Sequence, residues 1–283
     1  MRERAFVFGA HANLFGVLAE PDPSDAVAGS PAVLLANMGV NHRVGSNRLW
    51  VNLSRRLARM GFHVLRFDLS GLGDSLQRPG AHGDLERAVL DLREAMDFVS
   101  QKGGPQTFVV MGLCSGADSA HAVTVADPRV TGVVYIDGFV WRTPGFWLRY
   151  WTSRKLEAAR WRRYMRRRAA RRRGGPREAG EAREIYQREM PTPEQFRANL
   201  GALLGRGTAV LAIYTGGLMD YAYGGQIREM VGELSRHPLF ATEYFPRADH
   251  LFTDVGEHEK LLVSLCSWMK GRAGRARAEE ASA

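Results

Sequence analysis

Gly112-Leu113-Cys114-Ser115-Gly116 joins an apolar, β-branched run to a stretch of small residues, and this junction constrains the whole chain. Thr107-Phe108-Val109-Val110-Met111 has the make-up of a strand buried on both faces. Ala117, Ser119, Ala120, Ala122, Val123 and Val125 continue as a helix with little bulk on its first turns. A strand that turns directly into a helix leaves no room for side chains two residues either side of the apex, and glycine fills both places here. This is the nucleophile-elbow pattern, with cysteine in the slot usually held by serine. The helix N-terminus under Cys114 favours a thiolate over a thiol. Centring the pattern on Ser115 would put Leu113 where a small residue is required, so Cys114 is the expected nucleophile and Ser115 the alternative. An isolated cysteine is commonly just a buried core residue. The rest of the chain decides between these readings.

Taken in order, the chain alternates strands and helices. Residues 6–10 and 12–19 read as two strands, and Pro21 to Pro31 as a loop. Ala32-Val33-Leu34-Leu35-Ala36 is a buried strand ending at Asn37-Met38-Gly39, and Ser46 or Asn47 opens a helix through Met60. Residues 62–67 form a strand leading into Asp68-Leu69-Ser70-Gly71-Leu72-Gly73-Asp74-Ser75. That turn lacks the glycine and lysine spacing of a phosphate loop and reads as a structural turn beside the elbow. A helix over residues 84–100, the elbow, and a strand over 132–136 follow. Later come strands at 209–214 and 242–245 and helices at 225–236 and 256–270. The alternation predicts an α/β fold with a mostly parallel central sheet flanked by helices and a helical cap insertion, with function at the carboxyl ends of the strands. The expected divisions are 1–138 for the first part of the core, 139–207 for an Arg- and Trp-rich cap, 208–272 for the second part of the core, and 273–283 for a disordered tail.

Candidate site residues fall at those strand ends. His250, in Arg247-Ala248-Asp249-His250-Leu251-Phe252 after the last strand, is the expected base. Asp220 is the favoured acid, Asp137 is the alternative, and the neighbouring Asp249 is expected to order its loop. The backbone amide of Ser115 is one expected oxyanion donor, and Met38 or Gly39 supplies the other. Asn37, Trp151 and Trp161 are candidate substrate-binding residues. No Cys/His cluster has metal-ligand spacing, and no cofactor is expected.

The formal charge of +9 resembles that of a nucleic-acid binder until it is located. Residues 154–173 hold eleven Lys and Arg against the single acid Glu157, so the remainder of the chain is close to neutral. Leu148, Trp151, Ala158, Trp161, Met165 and Ala169 recur there at helical spacing, as in a lid helix with solvated arginines. An anionic partner, an acyl carrier protein or coenzyme A, is a possible occupant of that basic face; nucleic acid is not the expected main partner. The N-terminus has no signal-peptide pattern and no run reaches the roughly 18 apolar residues that span a bilayer. With two well-separated cysteines this predicts a cytoplasmic protein without a disulfide.

These residues together resemble the α/β-hydrolase superfamily. More narrowly, the chain resembles the exosortase A system-associated hydrolases, themselves similar to serine-aminopeptidase-like hydrolases. The likeness is carried by Asn37-Met38-Gly39, Arg48-Leu49-Trp50, Leu57-Ala58-Arg59-Met60-Gly61-Phe62, Leu65-Arg66-Phe67-Asp68, Gly71-Leu72-Gly73-Asp74-Ser75, Gly112-Leu113-Cys114-Ser115-Gly116-Ala117 and Asp249-His250. The nucleophile–acid–histidine order of Cys114, Asp220 and His250 is the one such hydrolases use. The resemblance implies an acyl hydrolase acting on an ester, lactone or thioester through a Cys-His-Asp triad, and places Asn37 where relatives carry a histidine. Locally the elbow also resembles that of dienelactone hydrolases, where cysteine serves lactone opening. An acyltransferase working on a carrier-linked acyl group, and a non-catalytic hydrolase-fold binding protein, are the alternatives.

Overall fold

A computed structural model describes residues 1–39, 41–80, 82–154 and 190–280. Alternating apolar strands and amphipathic helices build one eight-stranded sheet, ordered β1-β2-β4-β3-β5-β6-β7-β8. The strands are β1 (Arg2–Phe8), β2 (Leu14–Glu20), β3 (Ala32–Leu35), β4 (Val64–Asp68), β5 (Phe108–Leu113), β6 (Val130–Ile136), β7 (Ala209–Thr215) and β8 (Phe240–Phe245). β1 and β2 form an antiparallel hairpin, β2 runs antiparallel to β4, and every other pairing is parallel.

Both faces are covered, as a parallel sheet requires. α1 (Leu49–Arg59) and α7 (Val255–Glu280) cover one face. α2 (Asp84–Gln101), α3 (Ser115–Ala126), α5 (Pro193–Gly205) and the short α6 (Gln226–Val231) cover the other. Along β5 the side chains alternate: Phe108 and Val110 join the core beneath α2 and α3, while Val109, Met111 and Leu113 join that beneath α1 and α7. The whole strand is buried, which explains why its sequence is continuously apolar rather than alternating. Each such fully buried aliphatic or aromatic side chain contributes about 1.5–3 kcal/mol.

From β3 the chain passes over one face to β4, then returns over the other through α2 to β5 on the far side of β3. This reversal opens a crevice at the carboxyl ends of β3 and β5, where ligands bind in open α/β sheets. The loop at Asn37-Met38-Gly39 and the turn at Cys114 both lie there.

Three local expectations change. The helix predicted from Ser46 or Asn47 begins at Leu49, after a 3-10 turn in which Asn47 and Arg48 both have positive φ. The helix predicted at 225–236 is α6 followed by a 3-10 turn over Gly232–Arg236, broken at Gly232 with φ 61°. Residues 273–280, expected to be disordered, continue α7 to Glu280. Ala, Arg and Glu are strong helix formers, so that segment extends a helix already nucleated by the packed residues before it.

Between β6 and β7 the described chain contains α4 (Pro144–Arg154) and α5. α5 starts at a capping box in which Thr192 and Gln195 bond one another's backbone amides. Trp161, Met165 and the basic run from Lys155 onward lie outside the described residues.

Candidate active site

The elbow has the geometry that its glycines imply. Cys114 sits at φ 55° and ψ −120°, between the end of β5 and the first residue of α3. Its amide donates to Ile136 O at 2.8 Å, which ties the turn to β6. A Cβ on Gly112 would collide with the backbone carbonyl of Gly116, and one on Gly116 would collide with the carbonyl of Asn37. Ser115 is already helical, so the strained apex belongs to Cys114.

His250 hydrogen-bonds the Cys114 side chain on one side. On the other, His250 Nδ1 donates to Asp137 Oδ2 at 2.9 Å. The Asp137 carboxylate is fully buried at the end of β6 and takes two further hydrogen bonds, from Thr215 N at 2.8 Å and Thr215 Oγ1 at 2.6 Å. Asp137 also has positive φ, 47°, with its amide bonded to Ile213 O. The imidazole is held protonated well above its usual range, up to about 10, first by the Asp137 hydrogen bond and then by that to Cys114.

Asp220, the favoured acid in the sequence, is elsewhere. Its carboxylate accepts from Arg142 Nε at 2.7 Å on the exposed side of the α4 approach. The reason is where β7 ends. The last residue of the strand, Thr215, is spent donating to Asp137, and Gly216-Gly217 then pass directly under the histidine loop. A Cβ on Gly217 would lie 2.7 Å from His250 N. Turns at Leu218 and Tyr221 carry Asp220 away from that contact. The carboxylate at His250 is therefore Asp137, the alternative. Asp249 accepts from Thr253 N and Oγ1 at 2.8 and 2.6 Å and so caps the turn that presents His250.

The two expected oxyanion segments meet at the elbow. Ser115 N opens α3, where a helix leaves its amides without intrahelical acceptors. The Gly39 amide donates to Ser115 Oγ at 2.6 Å. Of the pair Met38 and Gly39, Gly39 is thus the one whose amide already has an acceptor on the nucleophile helix. Asn37 is almost fully buried and touches the loops rather than the open crevice. Its Oδ1 accepts from Leu69 N at 2.9 Å, and its Nδ2 donates to Asn41 O at 2.8 Å and Asp68 Oδ1 at 3.3 Å. Asp68, wholly buried, also takes Arg43 N at 2.6 Å and the Arg43 guanidinium, which in turn pairs with Asp74. The glycine-rich turn after β4 is thus a brace for the loop after β3. Sequence reasoning missed Arg43 and Thr215 altogether, since neither residue's partner is named by a local pattern.

Trp151 is exposed on α4. Among the described residues no cluster of His, Cys, Asp and Glu has the arrangement of a metal site, and no helix is long and apolar enough to cross a membrane.

A family model described as serine aminopeptidase, S33 matches residues 35–198, more than half of the chain. The chain belongs to that family. Its fold is the α/β-hydrolase fold, shared with a proline iminopeptidase from Mycobacterium smegmatis (TM-score 0.60, 17% identity, covering 97% of this chain and 100% of that one). It is also similar to an esterase domain from Rhodothermus marinus (TM-score 0.55, 17% identity, 94% and 96% covered). A Pyrococcus furiosus esterase gives a TM-score of 0.57 at 15% identity, with 95% and 90% covered. At such identities the likeness is one of fold. None of the curated proteins matches the sequence. Within a family named for serine, this S33 member carries cysteine at the apex of its elbow.

Proposed function

We propose that this S33-family hydrolase is a cysteine acyl hydrolase, working on an ester, lactone or thioester through Cys114, His250 and Asp137. The observation that supports it is the continuous chain from the Cys114 side chain through His250 to the buried Asp137 carboxylate. The imidazole, raised by Asp137 and by Cys114 itself, is the cationic neighbour that favours a thiolate as the nucleophile of this reading.

The thiolate sulfur attacks the acyl carbon, and the carbonyl π pair moves onto oxygen. Ser115 N and Met38 N donate to that oxyanion. As the tetrahedral centre collapses, the bond to the leaving oxygen or sulfur breaks, and the imidazolium gives that atom its proton. An acyl thioester on Cys114 and a neutral His250 remain. Water then attacks, giving its proton to His250, and the second collapse returns the thiolate and releases the acid. Asp137 holds Nδ1 protonated throughout, so that Nε2 exchanges the proton. A thioester is also a good donor to an amine or alcohol, so a second acceptor in place of water turns the same cycle into acyl transfer.

Cys114→Ala should abolish turnover of an activated short-chain aryl ester. Asp137→Asn should lower kcat by several orders of magnitude through the wrong imidazole tautomer, while Asp220→Asn should stay within about threefold, as expected of an exposed ion pair. The reverse ranking of the two aspartates would reject this triad. Steady-state rates on an aryl ester, a lactone and an acyl-coenzyme A thioester, with and without added amine, separate the substrate classes and distinguish hydrolysis from transfer.

A further inference from the structure

The Ser115 side chain has no part in that cycle, yet its oxygen lies at the join between the two segments that bind the oxyanion. It is nearly buried, and it accepts the Gly39 amide at 2.6 Å across 76 residues of sequence. Gly39 has φ 51° and lies in a loop, outside the sheet's own hydrogen bonding. The carbonyl at the other end of the same Met38–Gly39 peptide accepts Asn41 N at 2.9 Å. Both polar atoms of one planar unit are therefore held, one by the loop itself and one by the nucleophile helix.

We infer that the Ser115 hydroxyl is a positioning residue: by fixing the Met38–Gly39 peptide it holds the loop against the elbow, and so sets the distance between the Ser115 amide and the Met38 amide of the adjoining Asn37–Met38 peptide. The inference rests on the cysteine acyl-hydrolase reading above. The Asn37 and Asp68 network anchors the loop on its outer side, toward β4. Ser115 anchors it on the inner side, toward the reacting atoms. Without the hydroxyl, the Gly39 amide has to find another acceptor and the peptide turns. The Met38 amide then moves relative to a donor that the start of α3 holds still. Such a shift weakens binding of the tetrahedral oxyanion far more than binding of the ground-state ester, since donors must meet the oxygen where it sits in the transition state. A hydroxyl at residue 115 accomplishes this in a way that a larger side chain reaching over the elbow would not, because the acceptor sits directly against the loop.

The test compares wild type, Ser115→Ala and Ser115→Thr in the full chain. Three readouts are used: kcat and KM on an aryl ester, inhibition by a short-chain aldehyde, and the rate of Cys114 alkylation by iodoacetamide. The aldehyde reports the oxyanion site, because the thiolate forms a C–S bond to its carbonyl carbon and the π pair moves to oxygen, giving a hemithioacetal. Alkylation displaces iodide at carbon and forms no oxyanion. Ser115→Ala is expected to lose about 10- to 100-fold in kcat, a lesser loss than removing a donor outright. Its KM should stay within threefold, aldehyde inhibition should weaken by a factor like that in kcat, and alkylation should be unchanged. Ser115→Thr keeps the acceptor and should recover most of the lost rate.

Wild-type kcat and aldehyde affinity in Ser115→Ala would overturn the inference. So would a uniform fall in kcat, aldehyde affinity and alkylation rate, which is what general damage to the elbow produces. Failure of the underlying chemistry looks different: wild type would keep its turnover after complete alkylation of Cys114.

Discussion

Cys114 and Asp137 are both strained at positive φ, and each is the residue immediately after a buried parallel strand. Strain of this kind costs about 1–3 kcal/mol per residue and survives only where the surroundings enforce it. At Cys114 the enforcement was visible in the sequence, because two glycines at fixed offsets report a crowded turn. At Asp137 it was not: a lone acid after Val-Val-Tyr-Ile looks the same whether its carboxylate faces a histidine or solvent. Asp220 follows its strand at a greater remove, and chain order does not separate the two, since both lie between Cys114 and His250. Asp137 is instead the carboxylate that meets His250, held by the amide and hydroxyl of Thr215, neither of which leaves a mark in sequence spacing. The two cysteines give a direct check on this local chemistry. Burial pushes the Cys266 thiol up, whereas Cys114 faces a protonated imidazole. At pH 6.5 iodoacetamide should modify Cys114 at least tenfold faster than Cys266, read by peptide mass spectrometry, and His250→Ala should remove most of that difference.

Among the elements, the strand–turn–helix of β5 and α3 was the most legible and carries the strictest steric demand. Gly112→Ala puts a methyl against the Gly116 carbonyl, an atom that no rotamer change can move. It should destabilise the fold by at least the roughly 1–3 kcal/mol of an overpacked core and lower the yield of soluble protein, both measurable by denaturant unfolding. The loop after β3 was legible only as a location. Its conformation depends on Asp68 and Arg43, residues whose partners are brought in by the crossover from β4 and not by any local pattern. The end of α7 went unread for a different reason. Amphipathic periodicity detects helices that bury a face, and residues 273–280 extend the helix on intrinsic propensity, with no apolar stripe to announce it.

Across the whole molecule, two buried or half-buried histidines tie stability to pH in opposite directions. His250 is raised to about 10 by Asp137 and Cys114, against 6.5 unfolded. Its contribution is complete below about pH 6.5 and is lost as pH rises from there through about 10. His121 is the reverse case. It lies on α3 under Phe139 and Phe196, bonded to Tyr135 Oη at 2.9 Å and Asn199 Nδ2 at 3.1 Å, and burial lowers it to about 4. Its contribution is complete above about 6.5 and is lost as pH falls through about 4. Stability should therefore peak near neutrality. His250→Gln should flatten the alkaline limb and His121→Gln the acid limb, as followed by urea unfolding from pH 4 to 10. Strand alternation was legible because it follows topology, which a sequence pattern does encode, and the carboxyl strand ends are where Cys114, His250 and Asp137 meet. That same topology has a consequence for the timing of synthesis. The elbow, the loop after β3 and Asp137 all precede the segment that reaches α5, while His250 comes only after the last strand. On the ribosome the nascent chain thus carries its cysteine, unpaired with any imidazole at residue 250, for most of translation. Since domains complete their fold as units, the raised reactivity should switch on in a single step when the His250 loop docks after β8, so a chain stalled before residue 250 should react with the alkylating probe only as an ordinary thiol does, far more slowly than the finished protein.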